Sequence, residues 1–174
     1  MKKSIIFLAF FGITIAFSQK ITTLAEYKSS IKANKAEARK AISPFLYDGY
    51  KTTYFNYKTH KQTKEIEVYL FNNTEYKLAI NAQACFKGLI INFYNKPKGS
   101  KGRILLKTID CSVTKNYITN TKELNKKLKE LNKNSTRLKR VFISYEIPAV
   151  STANNTNPLI EDRAAAVLVM GYKK

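Results

Sequence analysis

Two runs of alternating side chains, separated by three polar residues, constrain this chain more than any other feature. In Glu65-Ile66-Glu67-Val68-Tyr69-Leu70-Phe71, and again in Tyr76-Lys77-Leu78-Ala79-Ile80, apolar residues recur at every second position. Successive side chains of a β-strand point to opposite faces, so this period reads as half-buried strand and not as amphipathic helix. Asn72-Asn73-Thr74 supplies turn chemistry between the runs. Folding them about a three-residue loop sets Ile66 opposite Ile80, Val68 opposite Leu78 and Leu70 opposite Tyr76, all on one face. A two-residue loop would shift the register by one and spoil the match. The expectation is a β-hairpin.

Further strands follow on either side. Residues 89–94 and 103–109 are apolar runs flanking 95–102, whose proline and two glycines predict a loop and hence a second hairpin. Residues 50–60 read as the first strand, with Tyr47, Tyr50, Tyr54 and Tyr57 crowded around it. These tyrosines among lysines either pack as strand formers or stack on sugars or bases. Residues 112–118 read as a further short strand. Residues 138–147 alternate, with Val141, Ile143, Tyr145 and Ile147 on one side and Phe142 on the other, until Pro148 stops them. Residues 151–158 are a long polar loop. The chain closes on Arg163-Ala164-Ala165-Ala166-Val167-Leu168-Val169-Met170-Gly171-Tyr172, an almost unbroken apolar run. Such a run suits a strand buried on both faces, with alanines where layers approach closely; Gly171 and the Val-Leu-Val segment favour strand over helix. Seven or eight strands with one or two helices predict a mainly β protein, an antiparallel β-sandwich with an N-terminal helix and one short internal helix.

The first helix spans residues 19–41. Thr23-Leu24-Ala25-Glu26 fits a capping box, Leu24, Tyr27, Ile31, Ala38 and Ile42 form one apolar stripe, and Ser43-Pro44 ends it. Lys28, Lys32, Lys35, Arg39 and Lys40 occupy the other face, either to touch a membrane or partner or as solvated charges on a helix that caps an open end of the β core. The second helix, within 120–134, places Leu124, Leu128 and Leu131 on one stripe, with Asn120 and Glu123 at capping positions. Lys122, Lys126, Lys127, Lys129 and Lys133 lie on its polar face and Arg137, Lys139 and Arg140 follow, the densest basic run in the chain. It reads as an anion-binding surface or as a solvated helix face.

Before all this stands Met1-Lys2-Lys3, an apolar segment from Ile5 to Phe17, and Ala16-Phe17-Ser18. A basic start, a short apolar stretch and small residues at the −3 and −1 positions describe a secretory signal, cleaved after Ser18. The apolar stretch is shorter than the roughly 20 residues of a bilayer span, which disfavours an uncleaved anchor. The expected organisation is a signal peptide at 1–18, a helix at 19–43 and a β-sandwich at 44–174, exported to the periplasm or beyond. Export removes Lys2 and Lys3, so the formal net charge of +19 falls by two to +17. A surplus of this size attracts polyanions and anionic surfaces.

Chemistry is thinly represented. His60 is the single histidine and has no partner legible from spacing; Glu161-Asp162 is a pair and not a metal cluster; Gly99-Ser100-Lys101-Gly102 lacks the spacing of a phosphate loop. No catalytic residue, metal or cofactor is expected. Cys85 and Cys111 are the two cysteines. Folding the second hairpin about Pro97-Lys98-Gly99 brings them opposite one another, which predicts a disulfide in an exported protein, with two free buried thiols as the alternative.

Glu75-Tyr76-Lys77-Leu78, Gly88-Leu89-Ile90-Ile91 and Val167-Leu168-Val169-Met170-Gly171-Tyr172, together with the signal-like start, resemble small exported β-sandwich proteins of Bacteroidetes-type bacteria of the pre-peptidase C-terminal-like kind. The resemblance covers 76–174 and implies a non-catalytic module; the acidic turns of many such modules are absent here. The functional expectation is a non-enzymatic exported protein that binds an anionic polysaccharide, lipopolysaccharide or extracellular nucleic acid. The rival is a secreted hydrolase whose carboxylates converge only in the fold.

Overall fold

The computed structural model describes residues 23–151 and 160–174; the expected signal segment and most of the polar loop at 151–158 lie outside them. Eight strands form two four-stranded antiparallel sheets. The first contains β1 (Leu46–Asn56), β3 (Glu75–Asn81), β6 (Asn116–Asn120) and β8 (Arg163–Lys173), in the order β1-β8-β3-β6. The second contains β2 (Gln62–Tyr69), β4 (Ile90–Tyr94), β5 (Leu105–Asp110) and β7 (Arg140–Ile147), in the order β2-β7-β4-β5. The expected β-sandwich is therefore present, with both helices: α1 (Leu24–Ala41) and α2 (Thr121–Leu131).

The alternating runs that announced the fold are both strands, but they are not a hairpin. β2 pairs with β7, with Ile66 beside Ile143 and Val68 beside Val141. β3 pairs with β6 and β8 in the other sheet. The turn through Asn73, whose φ of 55° is left-handed, arches from one sheet to the other. Ile66, Val68, Leu70, Tyr76, Leu78 and Ile80 all share one core, so the expected common apolar interior is real while the expected pairing is not. Alternation reports which face of a strand is buried. It is met equally by two strands paired side by side and by two strands in facing layers. Among the strand connections only β4 to β5 stays within its sheet.

β8 shows why its sequence is apolar on both faces. Ala164, Ala166 and Leu168 point into the sandwich, while Ala165, Val167 and Val169 belong to a second cluster with Tyr27, Ile31, Ala38 and Ile42 of α1 and its end. α1 thus covers the outer face of the first sheet and does not cap an open end. The alanines fit where helix and strand close in, and Gly171 allows the closest approach: a Cβ there would lie 2.9 Å from Ile42 Cδ1 and 3.0 Å from Phe45 Cβ. The capping box is formed, Thr23 Oγ1 accepting from the Glu26 amide at 3.2 Å and the Glu26 carboxylate from the Thr23 amide at 3.1 Å.

α2 has a different seat. It follows directly on β6, touches β3, β5 and β6, and drives Leu124 and Leu128 into the main core between the sheets; Leu131 stays exposed. Asn120 Oδ1 caps it by accepting from the Glu123 amide at 2.9 Å. Leu124 and Leu128 are each almost fully buried, and burial of a leucine stabilises by about 1.5–3 kcal/mol.

Candidate functional site: the basic flank around α2

The basic run of the sequence folds into one flank. Leu124 and Leu128 fix the helix face that points inward, so the lysines between them point out. The chain after α2 is pinned back on the helix: Asn125 Oδ1 accepts from the Leu138 amide at 2.8 Å, and the Asn134 and Ser135 amides both bond to Asn132. Arg137 donates to the Thr74 carbonyl at the turn between β2 and β3. Residues 132–139 therefore lie against α2, and the cations of both segments meet.

Three clefts border this flank. One, about 420 Å³, lies between the end of α2, the start of β7 and the β4–β5 loop, and is lined by Arg137, Lys139 and Arg140 with Lys96, Asn134, Ser135 and Phe142 among others. A second, about 490 Å³, is lined by Lys122, Lys126, Lys129 and Arg137 with Glu75 and Thr136. A third, about 370 Å³, takes Lys126 and Lys127 with Lys107, Glu123 and Glu130. Lys133 is exposed nearby. Lys96 and Lys107 were missed by the sequence analysis. Lys96 sits in the β4–β5 loop, and nothing in sequence spacing shows that this loop meets the one after α2.

The cations are not equally available. Lys122 pairs with Glu75 at 2.8 Å, Lys127 with Glu130 at 3.4 Å and Arg140 with Glu67 at 2.9 Å. The hydrogen bond and charge of Glu67 hold Arg140 more firmly protonated than usual. Lys126, Lys129, Lys133 and Lys139 have no carboxylate within ion-pair distance among the described residues. The cleft of 420 Å³ has no carboxylate in its lining. An incoming anion meets these charges without first displacing a resident one.

Carboxylates elsewhere are engaged in the fold. On the outer face of the second sheet Glu65 binds Arg103 at 2.6 Å and Glu146 binds Lys61 at 3.0 Å, while Asn92 links Glu146 to Thr108 through bonds of 2.8 and 2.7 Å. Asp162 holds Lys87 at 2.8 Å, and Glu37 accepts from Asn81 and Asn116, each at 2.8 Å. His60 is exposed in the β1–β2 loop. Among the described residues no group of three or more His, Cys, Asp or Glu could hold a metal ion, and no helix is long and apolar enough to cross a membrane.

The expected Cys85–Cys111 disulfide is not formed; both are buried free thiols. The hairpin register explains the difference. Ile90 pairs with Asp110, and the Cys111 amide bonds to the Leu89 carbonyl at 2.8 Å, so Leu89 and not Cys85 stands opposite Cys111. Next to the loop Tyr94 pairs with Leu105, so the hairpin is never centred on Lys98, and the irregularity between Phe93 and Tyr94 adds one further residue to the offset. Cys85 lies after β3, where its thiol donates to the Ala165 carbonyl at 3.4 Å. Burial, and then the neighbouring Cys111, push the Cys85 thiol up to about 12; burial pushes Cys111 up to about 11. Neither is a nucleophile at neutral pH.

Fold and flank together define a β-sandwich with a helix over one sheet and a basic, cleft-bordered seam beside the other. No protein-family model and no curated protein matches the chain.

Proposed function

We propose that this is an exported, non-enzymatic β-sandwich protein that binds anionic polymers or surfaces through the flank formed by α2 and residues 132–140. The observation that carries the reading is the set of uncompensated cations, Lys126, Lys129, Lys133 and Lys139, beside clefts that hold few or no carboxylates. Anionic polysaccharide, lipopolysaccharide and extracellular nucleic acid all present the required charge, and the signal-like start puts the protein where it meets them. Hydrolysis is the weaker reading because Glu65, Glu67, Glu146 and Asp162 each hold a cation, which leaves them unsuited to act as an acid and base pair.

Lysines act as hydrated point charges, so binding should weaken steeply with salt. Retention on immobilised heparin and on lipopolysaccharide across a salt gradient tests this. The expected result is elution well after a neutral protein of the same size. Co-elution with that control on both supports rejects the proposal.

A further inference from the structure

We infer that the 420 Å³ cleft between the end of α2, the start of β7 and the β4–β5 loop recognises a sugar carrying a sulfate or phosphate ester. The inference rests on the proposed anion-binding reading and narrows it from any polyanion to an anionic glycan.

Cations supply the affinity for the ester. Lys139 is uncompensated, and Arg137 and Arg140 stand beside it in the same lining. Their forked guanidiniums are partly committed, Arg137 to the Thr74 carbonyl and Arg140 to Glu67, which fixes where their remaining N–H groups point.

Hydroxyl recognition has its own residues. Asn134 and Thr136 line the cleft, and no hydrogen bond among the described residues uses the Asn134 side chain, whose backbone amide alone is bonded. A side-chain amide both donates and accepts, which matches the paired donor and acceptor character of sugar hydroxyls. Ser135 adds a separate observation: its Oγ is shielded from solvent and has no hydrogen-bond partner among the described residues. A hydroxyl without a partner is uncommon in a folded protein, and rotation about the Ser135 Cα–Cβ bond would turn it toward a ligand hydroxyl or ester oxygen in the cleft.

The cleft is poorly built for nucleobases. Sequence-tolerant binding of single strands uses exposed aromatic faces on which bases stack. The aromatic residue here, Phe142, is only 5 % exposed and serves as floor. A volume of this order falls within the range of small-ligand clefts and admits a short oligosaccharide segment.

The test is binding of the full chain to three probes of matched charge: a heparin-derived hexasaccharide, a phosphorylated lipopolysaccharide core oligosaccharide and a single-stranded oligodeoxynucleotide. Titration calorimetry at fixed salt compares wild type with Asn134→Ala, Ser135→Ala and Lys139→Gln. One or both glycans should bind about tenfold more tightly than the oligonucleotide, and Asn134→Ala should remove about that factor for glycan alone. Lys139→Gln should weaken all three probes. Which glycan is preferred distinguishes sulfate from phosphate ester. Asn134 keeps the test decisive if Ser135→Ala disturbs its loop, since its side chain holds nothing in place. Equal binding of all probes, unaffected by Asn134→Ala, overturns the glycan inference and leaves the polyanion reading standing. Preference for the oligonucleotide overturns it in favour of nucleic acid. Binding of none overturns both.

Discussion

α1 and α2 look alike as basic amphipathic segments and differ in what their charges do. α1 lies across the outer face of the first sheet, and two of its cations stack on β1 tyrosines: Lys35 Nζ is 3.2 Å from the Tyr50 ring centre and the Arg39 guanidinium 4.4 Å from that of Tyr47. These contacts tie the helix to an edge strand whose tyrosines would otherwise be bare. The concavity beside α1 at Glu37, Ala38 and Ala41 measures about 80 Å³ and is mainly apolar. α2 instead closes a seam between sheets, and its flank combines uncompensated lysines with clefts of about 370 to 490 Å³. Basicity therefore has two meanings in one chain: at α1 much of it is packing, and at α2 most of it faces an opening.

Both helices should prove equally structural on their apolar side. Ile31→Ala in α1 and Leu128→Ala in α2 should each cost about 2–5 kcal/mol, because each empties a buried site that its neighbours cannot fully refill. Urea unfolding under reducing conditions measures this. A loss below about 1 kcal/mol at Ile31 alone would show α1 to be a loosely attached cover.

A smaller change tests the fit of α1 from the sheet side. Gly171→Ala puts a methyl group against Ile42 and the Cβ of Phe45, and should destabilise by about 1–3 kcal/mol. The same unfolding assay applies, and an unchanged midpoint would mean that the end of α1 shifts freely.

pH separates the helices further. Tyr27 of α1 has its hydroxyl held well above the usual tyrosine range by burial and then by nearby Cys85. Cys85 itself moves from 9.0 to about 12. The folded state keeps these protons where the unfolded chain releases them. The contribution of Cys85 to stability is complete below pH 9 and is lost as pH rises through about 12, and that of Tyr27 is lost at higher pH still. α2 contributes no buried acid of this kind among the described residues, so Lys126 or Lys129 variants should leave the alkaline profile unchanged. Only the lower part of the window is reached by pH 10, so the loss there is the smallest of these stability effects. A stability that is flat from pH 7 to 11 would contradict the buried state of these groups.

Much of this architecture was legible. The period-two runs, the unbroken apolar tail and the capping signals at Thr23 and Asn120 all became the elements they implied, because burial and capping are local properties of sequence; the first helix starts at Leu24 and not at residue 19. What stayed hidden was which strand lies beside which. Ile66 and Ile80 carry the same alternation whether they pair or face each other across a core, and hydrophobic period cannot separate the two. The disulfide expectation failed for the same reason, since it assumed a hairpin centred on Lys98, whereas the turn lies further along the chain and an irregularity at Phe93 and Tyr94 adds one more residue of offset. At the flank, the cluster from Lys122 to Arg140 was visible as composition. Its division into paired and uncompensated charges depended on Glu75 and Glu67, and its cleft on the β4–β5 loop, all of them far away in the chain.

The most direct measurement compares the two helices by charge alone. Lys126, Lys127 and Lys129 are changed together to Gln in one variant, and Lys28, Lys32 and Lys40 in another, each removing three exposed charges. Heparin affinity is then measured from about 50 to 200 mM salt. The account predicts a weaker affinity and a salt slope flattened by up to about 3 for the α2 variant, with little change for the α1 variant and the same unfolding midpoint for both. Equal losses from the two variants, or a larger loss from α1, would contradict the assignment of binding to the α2 flank.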